Sequence, residues 1–256
     1  MTTTGIRKRG ESMRINAKGV HYRALNEWIR KALAVGMGEV VLEQVNGQRY
    51  IGDGLSGDIR ITVNGTPGND LGAFMDGPTI EVFGNAQDAL GNTMNAGKIL
   101  IHGHAGDIIG YAMRGGKIFI RGDVGYRVGI HMKAYKDLHP VIIAGGVAQD
   151  FLGEYMAGGT IILLGLDGDP QRPIAGSYCG TGMHGGSIYL RGSVEEHQLG
   201  REVKAFPLEE EDRAALRRAI QEYAQVFSLD PEEILAGPFS KLMPFTHRPY
   251  GKLYAY

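Results

Sequence analysis

The sequence lacks several features that define whole classes of protein. Cys179 is the only cysteine in 256 residues, so no intrachain disulfide can form. One cysteine also cannot by itself hold an iron–sulfur cluster or a cysteine-type zinc site, and its scarcity favours a reducing compartment. The formal net charge is only −1, which argues against a generic nucleic-acid or anionic-membrane surface.

Long apolar runs are missing as well. No run of about 18 apolar residues is present to span a membrane. Residues 1–14 are basic and polar, without the apolar centre of a signal peptide. We expect these first residues to be disordered, with Met13 as an alternative start. We expect the protein to be cytoplasmic, without a nucleic-acid or membrane partner.

Glycine, in contrast, is abundant, with 40 residues, and it marks an internal repeat. The pattern apolar-x-apolar-x-Gly ends at seven glycines that lie 19 to 27 residues apart: Gly65, Gly84, Gly103, Gly122, Gly145, Gly165 and Gly192. The residues four and two positions before each glycine are apolar in every copy, as in Ile99 and Ile101. Alternation with this period is typical of a β-solenoid, in which stacked rungs enclose a dry core.

A second motif, Gly-x-x-Met, runs in phase with the first, from Gly72–Met75 to Gly180–Met183. We interpret the methionines as a core ladder rather than a redox or copper site. Glycines of both motifs are interpreted as structural, at bends that need positive φ or close backbone approach. The glycines with this predicted role are Gly84, Gly91, Gly103, Gly110, Gly122, Gly129, Gly145, Gly153, Gly165, Gly180 and Gly192.

The repeat divides the chain into three parts. Residues 1–51 hold the N-terminal tail and a cap, formed by a helix around Leu25 and Ile29 and a hairpin at Asn46-Gly47 that leads into Gln48–Ile51. Residues 52–195 form the all-β solenoid of about seven rungs, with loops at 133–139 and 167–175. Residues 196–256 form C-terminal helices and an aromatic tail.

The outward face of the later rungs is apolar at Ile142, Ile162 and Tyr189, so it needs a cover. The stripe Leu216, Ile220, Tyr223 and Phe227 predicts a helix that folds back on these rungs, and Asp230-Pro231 starts a second, short helix. We expect the aromatic tail, residues 237–256, to contact a partner subunit or a second copy.

Candidate reactive residues favour structural roles. Gly52–Gly57 and Gly180–Gly185 both match G-x-G-x-x-G, but a strand rather than a helix follows each match, unlike a dinucleotide site. His102 and His104 could share a strand face as metal ligands, although we interpret His104 as a turn residue in left-handed backbone. The remaining candidates are interpreted as surface, bend or interface residues: His131, His184, His197, Cys179, Arg121 and Arg191. No catalytic, cofactor-binding or metal residue is predicted.

The rungs from Gly84 to Gly192 resemble the GXGXG domain of the glutamate synthase large subunit. The segments that carry the resemblance are Phe83–Gly91, Gly103–Gly110, Gly122–Gly129 and Gly180–Gly192. The resemblance covers about residues 60–195 and implies a right-handed parallel β-helix. In the family, the glutaminase cysteine, the FMN site and the iron–sulfur cysteines lie in other domains. The resemblance therefore implies that this chain carries no cofactor and that FMN and the cluster belong to partner subunits.

Three functions follow as hypotheses. The first is a structural subunit that holds a glutamine amidotransferase subunit and an FMN-binding synthase subunit, in a complex that makes glutamate from glutamine and 2-oxoglutarate. The second is a scaffold in a molybdenum or tungsten formylmethanofuran- or formate-dehydrogenase-like complex, because the repeats are also similar to a formylmethanofuran dehydrogenase subunit that accompanies the catalytic ones. The third is a self-assembling solenoid, a homo-oligomer without an enzyme.

Overall fold

The computed structural model describes residues 12–167 and 172–245. Within them, eleven strands form one sheet, accompanied by three α-helices and one 3₁₀ turn. In chain order the elements are β1 Ser12–Asn16, α1 Tyr22–Ala34, β2 Glu39–Asn46, β3 Arg60–Thr66, β4 Asp76–Phe83, β5 Ala96–Ile101, β6 Lys117–Ile120, β7 Val141–Ala144, β8 Ala157–Leu163, β9 Gly185–Arg191, the 3₁₀ turn Glu196–Gln198, β10 Val203–Phe206, α2 Glu210–Phe227, α3 Pro231–Leu235 and β11 Phe239–Pro244.

Strands β1 to β9 lie side by side in chain order, and each pairs parallel with the next. The repeat sets the register, because Ile61, Ile80 and Ile99 stand opposite one another on β3, β4 and β5. Their side chains are fully buried in a single inner core that runs through the stack. The predicted β-solenoid is confirmed, and stacked parallel coils place every rung directly on the previous one.

The chain bends in each rung through a six-residue segment that we call the left-handed turn, because its first, third and fifth residues have positive φ. Its copies begin at Tyr50, Asp70, Ala89, Ile108, Arg127, Phe151 and Tyr178. The amide of Ala89 donates forward to Asp107 O at 2.8 Å, whereas that of Gly91 donates backward to Leu71 O at 2.9 Å. The left-handed residues at the first and third positions thus donate their amide hydrogens to the following rung and to the preceding rung, respectively. These bonds offset a conformational cost of roughly 1–2 kcal/mol at each non-glycine residue.

The sixth position of the left-handed turn carries the methionine ladder. Met75, Met94, Met113, Met132, Met156 and Met183 are all buried, with at most 1% of their surface exposed. They pack in the inner core beside the strand isoleucines, which confirms the prediction that they are gap-filling core residues.

One rung is predicted in the wrong register. Ile118 pairs with Ile142, and Ile142 pairs with Ile161, so Ile142 faces the inner core instead of the outer face. Gly146 rather than Gly145 then lies level with Gly122, whose carbonyl accepts from the Gly146 amide at 3.0 Å. The sequence Val141–Ala144 is apolar on both faces, so alternation alone cannot fix its phase.

The N-terminal cap is partly as predicted. Leu25 and Ile29 of α1 are buried in the inner core, so the helix closes the first end of the stack. The hairpin at Asn46-Gly47 is wrong, because β2 pairs parallel with β1 and β3, and residues 48–51 form no strand. Strand β1 shows that the predicted disorder is also wrong for residues 12–14; residues 1–11 lie outside the described residues.

The predicted cover on the later rungs is confirmed. Leu216, Ile220 and Tyr223 of α2 pack on Phe119, Ile162 and other outward side chains in a second core on the opposite face of the sheet. Residue Ile143 occupies the place predicted for Ile142 in this outer core. No helix in the described ranges is long and apolar enough to cross a membrane.

The aromatic tail contains a strand that the sequence did not predict. Strand β11 inserts between β9 and β10 and pairs antiparallel with both. Residues 239–244 therefore complete the intrachain sheet, and their assignment to a partner surface is wrong; residues 246–256 lie outside the described residues. The buried Lys241 of β11 pairs with Asp212 of α2 at 2.7 Å, and Tyr189 of β9 donates to the same carboxylate at 2.6 Å.

Candidate functional site

The predicted structural glycines occupy two places in each rung. Gly91, Gly110, Gly129, Gly153 and Gly180 take the third position of the left-handed turn, and Gly84, Gly103, Gly122, Gly165 and Gly192 follow the strands. At Gly129, with φ of 73°, an added Cβ would lie 2.4 Å from Ile161 Cδ1. At Gly84 it would lie 2.5 Å from the Gly65 carbonyl oxygen. The third position of the turn therefore needs glycine for space as well as for conformation, whereas Gly84 needs it for space.

The residues after three of the strand glycines form a hydrogen-bond ladder. Asn85 Oδ1 accepts from the His104 amide at 2.9 Å, His104 Nδ1 accepts from the Asp123 amide at 2.9 Å, and Asp123 Oδ1 accepts from Val147 N at 3.0 Å. This corrects the prediction of left-handed backbone, because none of these three residues has positive φ. Since His104 Nδ1 is an acceptor, its proton lies on Nε2.

The last carboxylate of this ladder is held ionised. Burial raises the pKa of Asp123, but the hydrogen bond from Val147 N and the ion pair with Arg172 outweigh that effect and leave the pKa below its usual value. A second ladder runs beside the first. Asp88, Asp107 and Asp150 each accept from an amide of the following rung through Oδ1, at 2.8 to 2.9 Å.

The other histidines do not converge on a site. His102 Nε2 lies 3.0 Å from Glu81 Oε1, so the two histidines that flank Gly103 are bound to different partners. His184 Nδ1 contacts Gly182 O at 2.6 Å, and His197 lies in the 3₁₀ turn. Among residues 12–167 and 172–245, no three His, Cys, Asp or Glu side chains are grouped as a metal site would require.

Neither the cysteine nor the G-x-G-x-x-G segments form a reactive site. Cys179 is fully buried in the inner core, and burial raises the pKa of its thiol to about 12. Such a thiol is protonated at neutral pH and is a poor nucleophile. Segments 52–57 and 180–185 are left-handed bends that lead into β3 and β9, so no helix N-terminus meets them.

The two candidate arginines support the fold. Arg121 pairs with Asp167 at the start of the second long loop. Arg191 Nε donates to Ile234 O at 2.9 Å and so ties α3 to β9. Beside α3, a cleft of 810 Å³ opens between α2 and the ends of β10 and β11. Arg213 and Arg217 contribute to its lining, together with the apolar Phe239.

A surface that sequence reasoning missed lies along the left-handed turns of the last four rungs. We call it the aromatic face; its members are Ile108, Tyr111, His131, Phe151, Tyr155 and Tyr178. Tyr111, Tyr155 and Tyr178 are 39%, 42% and 55% exposed. His131 stacks on Tyr155 at 5.2 Å and Phe151 on Tyr178 at 5.0 Å. Aligning the residues around Gly-x-x-Met, and not the motif alone, would have revealed these columns.

Comparison with known proteins agrees with the architecture. The model of the GXGXG motif family matches residues 32–246. An uncharacterized protein of Methanocaldococcus jannaschii is 50% identical over 253 residues, which are 95% of this chain and 97% of that protein.

Proposed function

The chain belongs to the GXGXG motif family, and on that premise we propose that it is a non-catalytic structural subunit of a glutamate synthase-type complex. Its partners are a glutamine amidotransferase subunit and an FMN-binding synthase subunit, which together convert glutamine and 2-oxoglutarate to glutamate. FMN and the iron–sulfur cluster belong to those partners, and this chain carries no cofactor of its own.

The observation that carries the proposal is how the polar side chains of the rungs are used. His104, Asp107 and Asp123, which have the chemistry for acid–base work, each accept an amide hydrogen bond from the next rung. A general base must offer its lone pair to a substrate proton. The Nδ1 lone pair of His104 and one oxygen of each carboxylate stabilise the stack instead, which suits a structural subunit.

A solenoid also has the mechanical properties that such a role requires. Adjacent rungs are locked about 4.8 Å apart by the backbone ladder, and α1 and α2 cover the first end and one outer face. Two partner subunits bound at different rungs are then held at a fixed separation. Ammonia must pass from the active site of the amidotransferase to that of the synthase. A fixed distance between the two subunits keeps the path of this transfer constant.

Affinity purification of the chain from its native host, followed by mass spectrometry, tests the proposal. We expect stoichiometric recovery of an amidotransferase and an FMN-containing synthase, together with glutamine-dependent glutamate formation by the eluate. The chain purified alone should show no flavin absorption. As a control, an unrelated bait protein purified from the same host in the same way should recover neither partner.

Recovery of molybdopterin-type subunits would instead identify a formylmethanofuran- or formate-dehydrogenase-like complex and reject the glutamate synthase assignment. Recovery of no partner from the host would favour a self-assembling solenoid. A flavin bound stoichiometrically to the isolated chain would contradict the division of cofactors.

A further inference from the structure

We propose that the aromatic face is the interface of a symmetric homodimer. The face consists of outward residues of four successive left-handed turns, which begin at Ile108, Arg127, Phe151 and Tyr178. A contiguous exposed apolar patch of several hundred Å² on a folded protein often marks an interaction site. Tyrosine, phenylalanine and arginine are also the residues that interfaces favour, whereas lysine and aspartate are depleted there.

The size of the face suits a second copy. A fully covered aromatic side chain buries about 150–250 Å², and Tyr111, Tyr155 and Tyr178 are 39–55% exposed. The six members therefore offer roughly 400–500 Å² per copy. Two copies would bury roughly 800–1,000 Å², and flanking residues such as Tyr126, which is 47% exposed, would add to it. The total reaches the lower limit of roughly 1,000 Å² for a specific interface.

The centre of the face carries no unpaired charge. Arg127, at the first position of its turn, pairs with Glu154, at the fourth position of the following turn, whose side chain is only 9% exposed. The guanidinium also lies 4.7 Å from the Phe151 ring centroid. Burial of this centre would therefore leave a paired, partly stacked arginine and not an isolated ion, which avoids the main penalty for buried charge.

The face is complementary to itself. The proposed two-fold axis lies in the plane of the interface and runs along the rungs, midway between the turns 127–132 and 151–156. Rotation about this axis places each of the two turns opposite the other turn of the second copy. A residue at a given position of one turn then faces the residue at the same position of the other. Arg127 then stands opposite Phe151 of the second copy, as a cation–π pair requires, and His131 stands opposite Tyr155. In the outer turns, Ile108 stands opposite Tyr178, so an aliphatic side chain meets an aromatic ring. Such isologous contact is the common way for identical chains to associate.

The left-handed backbone offers variants that remove the face without harming the fold. Ile108, Tyr155 and Tyr178 have φ of 60°, 52° and 60°, and asparagine tolerates this conformation better than any of them. A chain carrying Ile108→Asn, Tyr155→Asn and Tyr178→Asn should still fold, and its melting temperature should lose only the contribution of dimerisation and no longer depend on protein concentration. Phe74→Asn is the matched control, because Phe74 has φ of 56° and is 56% exposed but lies outside the face.

Sedimentation equilibrium of the full chain tests the proposal. We expect the wild-type chain and the Phe74→Asn variant to sediment at twice the chain mass. The triple variant should be monomeric, with a dissociation constant raised at least about 1,000-fold, since loss of each of the three buried anchors costs about tenfold or more.

Each other outcome overturns the proposal. A wild-type chain that is monomeric rejects it, and so does a triple variant that still dimerises. A monomeric chain whose melting temperature falls on triple substitution would show that the chain covers its own face. A monomeric chain whose triple variant loses a co-purifying protein would show that a different protein binds there.

Discussion

Lys241→Met is the most informative single perturbation of the C-terminal cap, the name we give to β10, α2, α3 and β11. Lys241 donates to Asp212 Oδ2 at 2.7 Å, and the two residues are 9% and 8% exposed. Methionine preserves the apolar length of the side chain but removes the ammonium, so it leaves a buried carboxylate without its counter-ion. Breaking a buried pair costs about 3–5 kcal/mol. Asp212 keeps hydrogen bonds from Tyr189 and the Glu209 amide, so we expect a loss of about 3 kcal/mol, at the lower limit.

The pH dependence of this loss carries a sign that checks the argument. Burial raises the pKa of Asp212, but hydrogen bonds from Lys241, Tyr189 and Glu209 N lower it by more, so the folded pKa lies below its usual value. A depressed folded pKa contributes stability that is present above the unfolded pKa and is lost as the pH falls through the folded pKa. Lys241→Met removes the main lowering interaction and leaves the burial. The difference between variant and wild type should therefore be largest near neutral pH and shrink as the pH falls through the variant's folded pKa towards the lowered folded pKa of the wild type.

Urea unfolding followed by far-ultraviolet circular dichroism measures both quantities. Trp28 is the only tryptophan and lies in α1, so its fluorescence reports separately whether the opposite end of the stack unfolds with the cap. Lys18→Met, the same substitution at an exposed lysine, should change stability by less than about 0.5 kcal/mol. A loss below about 1 kcal/mol at neutral pH, or one that does not diminish in acid, would refute the assignment of a buried, ionised pair.

Three further predictions concern the rungs. Gly129→Ala should destabilise by about 2–4 kcal/mol in urea unfolding, because strain from positive φ adds to overpacking against Ile161; Gly54→Ala has the same sign of φ but no atom within 4 Å, so it should cost only about 1 kcal/mol. The Cys179 thiol should resist a disulfide reagent at about pH 8 in the native protein and react fully in urea, since burial raises its pKa to about 12; rapid native labelling would show that the inner core opens. Ile120→Asp should abolish soluble, folded protein, because Ile120 is fully buried and a buried carboxylate costs several kcal/mol; an unchanged thermal transition would contradict the inner-core assignment.

The repeat predicted the inner core well because two independent signals agree there. Ile61 and Ile80 alternate with polar neighbours and precede a glycine at constant spacing, so their phase is determined. Val141–Ala144 offers neither signal, since both faces are apolar and two glycines follow. The hairpin predicted at Asn46-Gly47 is wrong for another reason. A hairpin signal is local, whereas the parallel partner of β2 lies on β3, beyond the range of any turn motif.

The aromatic face and β11 could not be predicted because tertiary contacts override local preference there. Tyr155 and Tyr178 occupy left-handed backbone that their side chains disfavour, and hydrogen bonds between rungs hold them in it. The pairing of β11 with β9 joins two strands that are separated in the chain by β10, α2 and α3. The ladder through His104 was equally hidden, because the repeat does not show which lone pair accepts an amide of the next rung.

The placement of β11 has a consequence for biosynthesis. On the ribosome, β1 to β9 can stack in the order in which they emerge, each on the rung before it. The outer edge of β9 stays unpaired until α2 and α3 have been made, because β11, its antiparallel neighbour, follows these helices in the chain. During that interval β9 presents unpaired backbone groups, which favour aggregation. A nascent chain that stops before Phe239 keeps the edge of β9 unpaired. This exposed edge distinguishes an interrupted chain from a complete one, and cellular quality control can recognise it.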